Sequence, residues 1–185
     1  MLDATAHILA SGEDLTTNRV AEVAGVSIGS LYQYFPSKEA LIAALVERML
    51  AEDLAWADQL LDDGPLQPQV RRVVGTACER HGGQAQLMAA VVPMLPALER
   101  DAVARRTFQQ ITAWLLERLR QDPQLRPDLR DDPARLEKAV FVTTCGMRWV
   151  MNEAATQEPE WLRDPAFHDE VARLFDGLFA RGGTG

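Results

Sequence analysis

Residues 16 to 45 read TTNRVAEVAGVSIGSLYQYFPSKEALIAAL. Val20, Val23 and Ala24 follow Thr16 and Thr17 at helical spacing, and either threonine can cap a helix start. Gly25 supplies the backbone freedom that a sharp helix end needs. Ser27 caps a second, short helix that ends near Tyr34, and Pro36 and Ser37 close it and open a third. Two short helices joined by a turn around glycine have the pattern of a helix-turn-helix. The second helix of such a unit is narrow enough to enter the major groove of DNA, where base edges present a readable set of donors and acceptors.

The outward positions of that helix are Ser27, Gly29, Ser30, Gln33 and the rings of Tyr32 and Tyr34. Small groups, hydroxyls and an amide suit close approach to bases and phosphates. Lys38 sits in the first turn of the following helix, where the helix dipole disfavours a cation unless an anion such as phosphate lies nearby.

From Leu15 to Leu45 the chain resembles the DNA-binding segment of the TetR family of transcriptional regulators. The residues that carry the resemblance are Thr16-Thr17, Ala21, Ala24-Gly25-Val26-Ser27, Gly29, Leu31-Tyr32, Tyr34-Phe35, Lys38-Glu39 and Leu41. Carried over position by position, it implies DNA contacts at Thr17, Asn18, Ile28, Gly29, Ser30, Tyr32, Gln33, Tyr34 and Lys38. Thr17, Tyr32, Tyr34 and Lys38 match the family's common types and are expected on phosphates. Asn18, Ile28 and Gln33 fall where the family varies and are expected to read sequence, the amides on adenine and Ile28 on a thymine methyl. For Ile28 and Tyr34 the alternative is burial in the core.

Gly25-Val26-Ser27-Ile28-Gly29 also fits G-x-S-x-G, the nucleophile elbow of serine hydrolases. That motif needs a strand before it and an acid and a histidine after it. The residues before Gly25 have helical period, and the downstream histidines, His81 and His168, lie in helical contexts, so no catalytic residue is assigned.

The 185 residues allow one sizeable domain or two small ones, with 47% hydrophobic and 25% charged residues. No apolar run approaches the ~20 residues that span a bilayer, and Met1 to Ala10 lacks a signal-peptide pattern, which points to a cytoplasmic protein. Cys78 and Cys145 stand far apart with no partner at ligand spacing, as do His7, His81 and His168, so neither metal nor cofactor is expected.

The net charge of −8 sits awkwardly with phosphate binding. Met1 to Arg48 contains Arg19, Lys38 and Arg48 against Asp3, Glu13, Asp14, Glu22, Glu39 and Glu47, or 3 − 6 = −3. The family usually carries a basic segment before its first helix, and MLDATAHILASG reads as the middle of that helix. Basic residues upstream of Met1 are therefore expected.

Along the chain, helices are expected over Leu2 to Ala10, from Thr17, from Ser27, Ser37 to about Asp62, Gln69 to His81, Ala85 to Val92, Leu98 to Gln121, Ala134 to Ala155 and Pro165 to Arg181. The Ser37 helix is apolar over so wide an arc that it should pack on both the reading head and the remainder. Asp62 to Pro68 and Asp122 to Asp132 read as loops, Gly82-Gly83 and Pro93 to Pro96 as separators, and Gly182 to Gly185 as a frayed end. Asp132-Pro133 and Asp164-Pro165 are helix-start signals. The fold class is all-α: a three-helix DNA-binding domain over 1–47, then a helical ligand-binding and dimerisation domain over 48–185, about nine helices in all.

The resemblance implies a homodimer, with the last two helices pairing as an intermolecular bundle, and specificity favours it because two heads read twice the site. Met147, Met151, Phe175 and Leu178 are the interface candidates. Trp56, Met88, Phe108, Trp114, Cys145 and Trp149 are either core or the lining of a cavity for a small, mostly apolar effector. The expected function is a repressor released from a palindromic operator by that ligand. The alternatives are a regulator or activator without an effector and, remotely, a hydrolase using Ser27.

Overall fold

In a computed structural model describing residues 1–94 and 102–179, the chain is all-helical. The α-helices among the described residues are α1 (Leu2–Ser11), α2 (Thr17–Val23), α3 (Ile28–Tyr34), α4 (Lys38–Leu60), α5 (Leu66–Gly83), α6 (Ala85–Val91), α7 (Ala102–Gln121), α8 (Pro127–Arg130), α9 (Pro133–Gln157) and α10 (Pro165–Asp176). The expected start of the seventh helix near Leu98 and the fraying of Gly182 to Gly185 fall outside the described residues.

Two compact units form. The first comprises Met1–Asp53 with Gln84–Thr107, and the second Leu54–Gly83 with Phe108–Gly185. In the first, Ile8 and Leu9 of α1, Val20 and Ala21 of α2, Leu31 of α3 and Leu41, Ile42 and Leu45 of α4 bury one core, to which α6 adds Leu87 and Val91. In the second, Leu66, Leu119, Leu125, Leu129, Leu136, Val140, Leu178 and Phe179 bury another. There α10 lies along α5.

The turn between α2 and α3 follows its chemistry closely. Gly25 adopts φ 67°, its N–H reaches Glu22 O at 3.1 Å, and Val26 N–H reaches Ala21 O at 3.0 Å. This paired closure satisfies the last carbonyls of α2 and turns Val26 onto the core. A Cβ at Gly25 meets no atom within 4 Å, so Gly25→Ala carries only the cost of left-handed backbone, about 1–2 kcal/mol. Denaturant unfolding should show that loss, while DNA affinity well below the melting temperature stays near the parent's. An unchanged midpoint would mean that the turn relaxes to another conformation.

Several boundaries differ from expectation for identifiable reasons. α5 begins at Leu66 because buried Asp122, from a distant part of the chain, accepts the Leu66 N–H at 2.5 Å and that of Gln124 at 2.6 Å. Pro68 falls in that first turn, where a missing N–H costs nothing. The same helix runs through Gly82-Gly83. A Cβ at Gly82 would lie 3.1 Å from Leu162 Cβ, so this glycine serves close packing rather than a break. The loop after α7 contains α8, begun by Pro127 and tied down by Arg130, which donates to the Pro123 and Leu125 carbonyls at 2.7 and 3.0 Å. α10 stops at Asp176, after which Phe179 pairs with Leu125 in an isolated bridge.

The two aspartate-proline starts cap as the sequence implies. Asp132 accepts from Arg135 N at 3.0 Å and Asp164 from Ala166 N at 2.9 Å. Cys78 is buried with its Sγ 3.5 Å from Met151 Sδ, and burial pushes its thiol up to about 12. Cys78 and Cys145 are both free. No helix among the described residues is long and apolar enough to cross a membrane.

Candidate nucleic-acid interface

The surface of the first unit is set by which residues α3 spends on its core. Only Leu31 of this seven-residue helix is buried. Every other position is left at or near the surface, and Ser27 fixes the start: its Oγ accepts the Ser30 N–H at 3.0 Å and lies 2.9 Å from Ser30 Oγ. Tyr34 is 71% exposed, Tyr32 49% and Ile28 38%. Tyr34 and Ile28 are therefore outward residues and not core, whereas the adjacent Phe35 packs on the core cluster.

Three helices contribute polar groups to the surface of this unit. Tyr32 OH lies 3.1 Å from Thr17 Oγ1, which joins the start of α2 to the outer side of α3. Asn18, Gly29 and Gln33 are exposed, and Ser30 and Lys38 are half-buried. Ser37 caps α4 by accepting the Ala40 N–H at 3.1 Å, which places Lys38 in its first turn. A row of hydroxyls, two amides and one ammonium around a bare glycine backbone is equipped to donate to phosphates and to base acceptors.

The hydrolase elbow lacks its scaffold. The segment before Gly25 is helix α2, and the Ser27 hydroxyl is engaged by Ser30. His81 and His168 belong to the second unit, where their rings meet the Ala77 and Leu162 carbonyls at 2.9 Å.

The interface and cavity candidates are scattered. Met151 and Leu178 are buried within their own unit, and Met147 and Phe175 are half-buried, Phe175 against the core. Met151 and Leu178 thus cannot present a surface to a second copy. The outward apolar residues of α9 are instead Phe141 (54% exposed), Val142 (67%) and Trp149 (68%), with Leu174 also exposed on the neighbouring α10. Residues 141, 142, 145 and 149 share one side of a helix, roughly opposite the buried Val140, Thr144 and Met151. The sequence signal was available: α9 is apolar on two sides, and the side with the longer unbroken period is the one that folds inward.

Of the cavity candidates, Met88 is buried in the first unit and Trp149 faces outward, so neither lines the interior of the second. Trp56, Phe108, Trp114 and Cys145 are half-buried there. Arg80 stacks 5.4 Å from the Trp56 ring, Arg148 5.4 Å from that of Phe108, and Trp114 Nε1 donates to Asp58 at 3.0 Å. That bond, followed by one from Arg118, holds the Asp58 carboxyl below the usual carboxylate range. Thr144, in the same unit, buries its hydroxyl with no hydrogen-bond partner.

A short helix, capped by serine and pinned by one leucine behind a glycine turn, with its polar side outward, defines a helix-turn-helix. Residues 2–45 match the family described as bacterial regulatory proteins, tetR family. The nucleoid occlusion factors SlmA of Haemophilus ducreyi and of Actinobacillus pleuropneumoniae serotype 5b are each 54% identical over 35 residues, 19% of this chain and 17% of theirs. The chain thus spans under a fifth of the length of these curated relatives. Over its whole length it has the fold of Thermus thermophilus FadR, a TetR-family repressor solved with lauroyl-CoA (22% identity, TM-score 0.68, covering 100% of this chain and 96% of that one). A TetR transcriptional regulator from Rhodococcus sp. RHA1 shares it as well (20%, 0.64, 96% and 93%). Residues 2–45 are thus similar to the tetR-family segment, and the chain as a whole shares the fold of these solved regulators.

Proposed function

We propose that the chain is a homodimeric repressor that binds a palindromic operator and leaves it on binding a small, mostly apolar ligand. The observation that carries the reading is the outward polar face of α3 joined to Thr17 through Tyr32. In it Thr17, Tyr32, Tyr34 and Lys38 grip phosphates while Asn18, Ile28 and Gln33 read bases, with Ser30 and the close-approaching Gly29 also at the contact. Residues 1–47 form the DNA-binding domain and 48–185 the effector-binding and dimerisation domain.

Dimerisation is supported by the exposed Phe141, Val142 and Trp149 on α9 beside Leu174 on α10, an apolar surface of the kind that marks an interface. The effector is supported by the half-buried aromatic residues of the second unit and by the unpartnered Thr144 hydroxyl, a buried group that a polar atom of a ligand would satisfy. A ligand would act by favouring one arrangement of the two heads, by no more than its differential affinity for the two forms. A regulator without an effector is the other reading. It predicts that no apolar ligand releases the operator complex.

Selecting duplexes from a random pool tests the main reading, which requires enrichment of a two-fold symmetric site with half-sites about one helical turn apart. On the selected site, Lys38→Ala should weaken all duplexes alike and reduce the salt slope by about 0.9 per head. Gln33→Ala should instead shift base preference by roughly 1–3 kcal/mol at one position of each half-site. Equal losses on every sequence would remove Gln33 from base reading, and failure to enrich any duplex would overturn the proposal.

A further inference from the structure

The cations of the reading head are distributed unequally. Of Arg19, Lys38 and Arg48, the basic residues within Met1–Asp53, two are already paired inside the head. Arg48 lies 2.5 Å from Asp3 and 3.6 Å from Glu52. Arg19 donates through Nε to Glu13 at 2.9 Å and sits 3.2 Å from Glu22 through Nη1. The Glu13 carboxylate is itself fixed, because its other oxygen accepts the Ser11 hydroxyl at 3.2 Å. Lys38 has no ion pair among the described residues.

Arg19 directly follows Thr17 and Asn18 in the first turn of α2. Its planar fork is the side chain best suited to grip a phosphate, yet here it spans two carboxylates. The cluster carries a net charge of −1 beside the face that meets DNA. We infer that Glu13 and Glu22 hold Arg19 off the DNA backbone, so that Lys38 supplies the charge-assisted phosphate contact of each head and the head's affinity is set low by this bridge. The inference rests on the DNA-binding reading above. It gives a role to the acids of the head: two of its three basic residues are engaged by them.

The test is a double-mutant cycle on the full chain, with binding to a labelled duplex of unselected sequence measured across salt concentrations. The slope of log affinity against log salt counts phosphate contacts at about 0.9 each. The parent should show about one charge contact per head. Glu13→Gln with Glu22→Gln should add about one more per head, and tighten binding roughly tenfold per head at 0.1 M salt. Arg19→Gln should erase that gain in the doubly substituted background and leave the slope of the parent unchanged. Both comparisons remove one positive charge, so general repulsion cancels and direct contact remains.

A slope unaffected by the two glutamine substitutions overturns the inference. So does a gain that survives Arg19→Gln, since it then reports lost repulsion alone. Glu22→Gln by itself should move the slope in the same direction, which keeps the test open if the double substitution weakens folding. Absence of binding by every variant at low salt would instead overturn the DNA-binding reading.

Discussion

Replacing Phe141 and Trp149 together by glutamate is expected to leave a folded chain that sediments at the mass of one copy and binds operator 10²- to 10⁴-fold more weakly than the parent. Both side chains are more than half exposed within the chain and outside its buried clusters, so their loss removes chiefly the edge-to-face contact of Phe141 with Phe108 at 5.6 Å. Between two copies the balance differs. Burying Phe141, Val142 and Trp149 from each copy contributes roughly 1.5–3 kcal/mol per side chain. Six such side chains, each already partly covered within its own chain, contribute a total of the same order as the ~4–15 kcal/mol cost of association. A carboxylate in the middle of that surface adds an unpaired buried charge, a penalty of several kcal/mol, which shifts the equilibrium to single chains. The fall in DNA affinity follows because two linked heads gain 10²- to 10⁴-fold in avidity over one. Sedimentation and operator titration read both effects. A parent that is a single chain at micromolar concentration, or a substituted chain that still pairs, would remove α9 from the interface. Met151→Glu is the contrast: it should unfold the second unit, because Met151 is buried against Cys78.

The head was legible almost residue by residue because each of its turns is closed by a local device. Thr16 accepts from Arg19 N, Ser27 from Ser30 N and Ser37 from Ala40 N, and Gly25 takes the one backbone conformation its neighbours could not adopt without strain. Such devices depend on residue type within three or four positions. The second unit resists the same reading because its boundaries are decided by partners distant in the sequence. Asp122 starts α5, Leu162 demands a glycine at position 82, and Leu125 draws Phe179 out of the last helix.

Met151 and Leu178, two of the four interface candidates, prove buried for a related reason. Periodicity in α9 finds two apolar sides, and Met147 and Met151 lie on the one with the longer period, which packs inward and leaves Phe141, Val142 and Trp149 outside. The outward-facing residues of the head were easier to name, since a seven-residue helix with one buried leucine leaves few other arrangements. The acidic balance of the head also takes on a different meaning once its pairs are known. A count of charges predicts repulsion from DNA, but the pairing of Arg19 and Arg48 leaves Lys38 as the cation of the head without an ion pair among the described residues.

Leu31→Ala should abolish sequence-specific binding while leaving a dimer with an intact second unit. Leu31 is completely buried and is the one residue that α3 places inside the core formed with Val20, Ala21, Leu41 and Leu45. Truncating a buried leucine costs about 2–5 kcal/mol, a large part of the ~5–15 kcal/mol that holds a domain together. An isolated helix of this length has almost no stability in water, so α3 persists only while that contact does. Once it loosens, Tyr32 separates from Thr17 and the polar face disperses. Amide exchange should therefore rise sharply over residues 28–35 and remain slow over α5 and α9, whose core uses other leucines. Ile28→Ala provides the control, since Ile28 is exposed: it should alter affinity for the selected site and leave exchange in α3 nearly unchanged. Retention of parental affinity by Leu31→Ala would show that the recognition surface is held from elsewhere, and the role given to α3 would then have to be abandoned.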